Sequence, residues 1–152
     1  MYVEPKMEKL TINLPPVELA RIDILVEAGY YPSRTEFIRA AIRSTLDKQQ
    51  DFVSQKVDEI TSESEKELND EKLGFGIFGL GVYTLDKEFF ERVIDKGKKG
   101  KIQVVGMLKL EEDVTPEHIE KTVASVKVYG VLKASPKVKE ALQEKMKRNL
   151  TG

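Results

Sequence analysis

The 152-residue sequence holds no cysteine, no tryptophan and a single histidine. It also lacks any apolar run approaching the about 18 residues of a membrane-spanning helix. The missing cysteines exclude disulfides, thiolate metal ligands and cysteine nucleophiles together. His118 stands alone in "TPEHIEK" and is read as a helix surface residue. No serine, histidine and acid arrangement stands out, so no catalytic residue, metal ligand or cofactor is expected. The first 30 residues carry acids and a double proline where a signal peptide would be apolar, and the location expected is cytoplasmic, with no membrane partner.

What is present is charge, 34% of the residues, and enough apolar side chains, 40%, to build a core. The net charge of −1 hides an uneven distribution. Residues 1–50 hold seven acids and seven bases, residues 51–72 eight acids and three bases, and residues 73–152 eleven acids and fifteen bases. The acidic excess is thus confined to one segment, and the overall balance says nothing against a polyanionic partner for either end.

"KLTINLPP" alternates strictly: Leu10, Ile12 and Leu14 are apolar, whereas Lys9, Thr11 and Asn13 are polar. Period two predicts a half-buried strand. In "PPVELARIDILVEAGYYP" a proline at the first turn precedes Leu19, Ile22, Leu25 and Val26 at helical spacing, and Gly29 supplies a stop. "PSRTEFIRAAIRSTLDKQQ" opens with Ser33 and Glu36 at capping-box spacing, followed by a stripe of Phe37, Ile38, Ala41, Ile42 and Leu46. Arg39 can reach Glu36 on the same helix. Residues 8–50 therefore read strand, helix, turn, helix.

Helical periodicity continues through Phe52, Val53, Val57 and Ile60 and fades in "TSESEKELNDEK", an acidic helical linker over 51–72 with a boundary near residue 70. The remainder repeats. "IFGLGVYTLDKEFFERVI", "VVGMLKLEEDVTPEHIEKTV" and "VYGVLKASPKVKEAL" each give apolar residues, a glycine, a strand, a polar turn and an amphipathic helix. The glycines aligned in this way are Gly79, Gly106 and Gly130. The fold class is α/β: a C-terminal domain over 73–152 of three strand-helix units with a mostly parallel sheet, preceded by the 1–50 domain. "GFGIFG" (Gly74 to Gly79) matches a dinucleotide-binding string, but more strand follows it where a helix N-terminus is required.

One strand and two helices of about 45 residues make a poor core. Two copies would solve this, with the strands paired antiparallel in a ribbon and four helices interlocked beneath. Such a ribbon fits the major groove of B-DNA. Over Glu8 to about Gln50 the sequence resembles the ribbon-helix-helix family of DNA-binding proteins, the CopG/Arc/methionine-repressor type. The resemblance rests on the alternating strand, on "L..IDILVEAGYYPSRTEFIR.AIR..L" and on the intervening glycine. It implies a swapped homodimer on double-stranded DNA. It also implies that Lys9, Thr11 and Asn13 read bases, and that Ser33, Arg34 and Thr35 anchor phosphate at a helix N-terminus.

The function expected is a sequence-specific transcriptional regulator, a repressor, and not an enzyme. The alternative is an antitoxin that autoregulates its operon. The C-terminal domain is expected to join dimers into a tetramer or larger assembly, a small-molecule effector being the rival role.

Overall fold

Proline opens the first helix of the computed structural model: α1 runs Pro16–Glu27, beginning where a missing N–H leaves no intrahelical bond unmade. It ends in a paired cap. Gly29, at φ 84°, donates to Val26 at 3.0 Å and Tyr30 donates to Leu25 at 3.0 Å. That geometry needs a residue free of the Cβ penalty at positive φ, which is why glycine sits there. Helix α2 (Arg34–Lys48) follows, then α3 (Gln50–Glu67). The structure describes residues 7–67 and 72–150; residues 68–71, where the boundary near residue 70 is expected, lie outside them. The chain divides into two compact units, Met1–Gln50 and Asp51–Gly152.

In the first unit Ile22 is buried, whereas α2 buries no residue fully. Tyr31 packs edge-on against Phe37 at 5.0 Å and closes the turn between the helices. The apolar stripe of α2 nevertheless stays open, with Ile42 and Leu46 exposed.

The second unit is built on three parallel strands, β1 (Gly76–Leu85), β2 (Gly100–Leu110) and β3 (Val123–Lys133), in the order β1-β2-β3. Parallel neighbours need a crossover, and helices supply it. Helix α4 (Lys87–Lys96) lies between β1 and β2, α5 (Pro116–Thr122) lies between β2 and β3, and α6 (Pro136–Leu150) follows β3. One sheet face carries Ile102, Val104, Leu108, Leu110 and Val126. These pack with Phe90 of α4, Ile119 of α5 and Val138 and Leu142 of α6 in a single core. β1 extends unbroken from Gly76, so the "GFGIFG" string leads into strand and not into a phosphate-cradling helix turn.

The repeat register differs from the one expected. Gly81, not Gly79, pairs with Gly106, which pairs with Gly130, so the three glycines form one row across the sheet. Each has a positive φ between 122° and 139°. A Cβ on Gly106 would lie 2.2 Å from the Gly81 carbonyl oxygen, and one on Gly130 would lie 2.1 Å from that of Gly106. A shared kink at matched positions thus repeats through the stack, and only glycine allows the backbones to nest there.

His118 is not a surface residue. It is 9% exposed and stacks on Phe90 at 6.1 Å. Its Nδ1 accepts from the Thr115 N–H at 3.0 Å, while the Thr115 hydroxyl accepts from the His118 N–H at 3.4 Å. This is a reciprocal capping box with histidine in the place of the usual glutamate. The proline and threonine ahead of it mark the helix start, but polar character alone does not reveal that the ring turns inward.

Candidate nucleic-acid interface

Residues 7–15 run without secondary structure in the single chain, since a strand requires a partner to complete its ladder. Ile12 and Leu14 line an apolar concavity of about 520 Å³ together with Ile22, Leu25, Phe37, Ile38, Ala41 and Ile42. Lys9, Thr11 and Asn13 are exposed. Leu10 and Ile12 remain 78% and 48% exposed, far more than a finished core would leave them.

Ser33 caps α2 from an extended conformation, its Oγ accepting from the Glu36 N–H at 3.2 Å. The expected capping box is only half formed, because the Glu36 carboxylate turns to Arg39, 3.0 Å away, instead of reaching back to Ser33. The amides of Arg34 and Thr35 precede Phe37, the first to donate within the helix (to the Ser33 carbonyl), so they are free to bind an anion at the positive end of the helix dipole. Lys9 and Thr35, one from each expected set of DNA-contacting residues, line one pocket with Leu10, Ile12, Ile38 and Ile42.

Arg34 is already engaged. Its Nε and Nη2 donate to the two carboxylate oxygens of Asp23 on α1, each at 2.7 Å. The hydrogen bonds from Arg34 hold the Asp23 carboxyl below the usual carboxylate range and raise the guanidinium still further. Sequence reading does not find this partner. Asp23 lies eleven positions before Arg34 on another helix, and only the turn between the helices brings the two together.

The model of the Ribbon-Helix-Helix transcriptional regulator family matches residues 5–139, and the chain belongs to that family. Over 45 residues it is 36% identical to the "Transcriptional regulator CdrS" of Halobacterium salinarum, a match spanning 30% of this chain and 82% of that protein. Over 39 residues it is 41% identical to an uncharacterised protein of Methanocaldococcus jannaschii, spanning 26% of this chain and 40% of that one. No solved structure matches the chain. Among the described residues no helix is long and apolar enough to cross a membrane.

Proposed function

We propose that this chain is a sequence-specific transcriptional repressor that dimerises through its first unit and lays a two-stranded ribbon in the major groove. The observation that carries the reading is the open apolar concavity of the first unit. Ile12 and Leu14 line it, whereas Lys9, Thr11 and Asn13 do not and are exposed. A second copy would cover the concavity and pair the two strands, placing six alternate polar side chains on one exposed surface. Lysine suits guanine O6 and N7, asparagine suits adenine N6 and N7, and threonine offers a hydroxyl or a methyl contact to thymine. Ser33, Arg34 and Thr35 anchor the backbone at the start of α2.

The second unit joins dimers. Helices α4, α5 and α6 cover one sheet face, and on the other, where α3 meets Val105 and Tyr129, Leu80 and Val82 are still 69% and 63% exposed. An all-parallel sheet is ordinarily covered on both faces. A core closed within the unit itself also speaks against a toxin-folded antitoxin tail.

Gel shifts with duplexes from the gene's own upstream region test the reading, together with sedimentation of Ile12→Lys. The wild type should shift a discrete fragment as a dimer or larger. Ile12→Lys should lose both dimer and shift, since an unpaired charge buried in the shared core costs about 3–5 kcal/mol. A variant that stays dimeric would show that Ile12 does not face the shared core.

A further inference from the structure

The guanidinium of Arg34 is a planar fork that fits a carboxylate and a phosphate in the same bidentate manner. In the free chain its Nε–Nη2 edge is filled by Asp23, at 2.7 Å on both arms. The next arginine on the helix, Arg39, is likewise matched, to Glu36 at 3.0 Å. The start of α2 therefore offers a phosphate free amides and little uncompensated positive charge. Both members of the Asp23–Arg34 pair are about half exposed, at 48% and 53%, so the pair is accessible to an incoming polyanion.

We propose that Asp23 sets the strength of DNA-backbone binding: its carboxylate occupies the Arg34 fork in the free protein and gives way to a DNA backbone phosphate on binding. The inference rests on the DNA-binding reading above and adds a competing contact to it. A phosphate that takes the Nε–Nη2 edge must displace the carboxylate. One that approaches the remaining Nη1 edge meets the carboxylate charge across the same guanidinium. In either case Asp23 weakens every phosphate contact at this position, whatever the base sequence. Binding to arbitrary DNA, which depends almost wholly on phosphate contacts, reports that penalty directly. A cognate site adds base contacts and carries the same penalty.

The test uses the full chain and a fluorescent mixed-sequence duplex titrated over a range of salt concentrations. Asp23→Asn keeps the shape and removes the charge, and Asp23→Ser serves as a second neutral variant should the first misfold. Both should bind the duplex about three- to tenfold more tightly than the wild type at low salt, with a log–log salt slope steeper by about one. Asp23→Glu, which retains a carboxylate, should stay near the wild type. In an Arg34→Ala background Asp23→Asn should change neither affinity nor slope. Neutral variants that bind equally or more weakly would overturn the proposal, because Asp23 would then be positioning Arg34 for DNA. So would an equal gain in the Arg34→Ala background, which would mark a general charge effect. A wild type that binds no DNA at any salt concentration, with variants equally silent, would instead overturn the DNA-binding reading on which the proposal rests.

Discussion

Asn13 and Arg34 stand at different kinds of position, one on an extended segment and the other at a helix start, and their substitutions should separate accordingly. Asn13→Ala should weaken binding to a cognate duplex by about 1–3 kcal/mol and leave mixed-sequence affinity nearly unchanged, because a base edge is what it would lose. Arg34→Ala should lower affinity for all sequences and flatten the salt slope by about one. Fluorescence anisotropy on both duplexes checks the pair; parallel losses across random DNA would erase the distinction between reading and anchoring. His118 belongs to the same scale. His118→Ala removes the acceptor for the Thr115 N–H and leaves a gap against Phe90, so unfolding free energy should fall by about 1–2 kcal/mol. His118→Gln, which can serve the same third helical position, should recover part of that loss in urea titrations.

At the scale of elements, the row of Gly81, Gly106 and Gly130 determines how closely the three strands nest. Gly106→Ala should destabilise the second unit by about 3 kcal/mol or more, since both the positive φ and the 2.2 Å approach to a backbone oxygen oppose a Cβ. Gly97, a helix-terminal glycine with nothing within 4 Å of its would-be Cβ, is the contrasting case, in which only the φ of 68° opposes alanine. Thermal unfolding of the two variants should therefore differ, Gly106→Ala showing the larger drop. α3 shows how an element can serve a face that its own sequence does not specify. Its Phe52, Val53, Val57 and Ile60 line a groove of about 420 Å³ with Val105 and Tyr129, on the sheet face away from α4, α5 and α6. Leu80 pairs beside Val105 in the same row and stays open.

For the whole molecule the informative piece is residues 51–152, which form one unit with its own core. The fragment should fold alone, with a cooperative melt and helix content retained. It should also associate, because Leu80 and Val82 leave an apolar strip on its sheet. Light scattering at high micromolar concentration reads the outcome. Linked to a dimerising first unit, such association would hold two ribbons for adjacent sites at raised effective concentration. A strictly monomeric fragment would favour the effector-sensing role, with the α3 groove as the place to look.

Periodicity alone was enough to find all three strands and the helices of both units, because burial on one face imposes a period of two or 3.6 on any sequence that folds this way. Ser33, Gly29 and the prolines marked helix ends for equally local reasons. The strand expected from the alternation of residues 9–14 is not formed in the single chain, where residues 7–15 run without secondary structure; a period of two records which side chains suit one face, and supplies no partner strand. Longer-range facts were not legible. Which glycine joins the row depended on the pairing register, and Gly81 displaced Gly79 because backbone oxygens meet there. His118 turned inward because Phe90 offered a ring to stack on. Asp23 became the partner of Arg34 because a turn folded α1 back on α2. Local propensity acts over a few residues of chain, whereas ion pairs, caps and close backbone approaches are decided by distance in space. The tertiary structure alone supplies that distance.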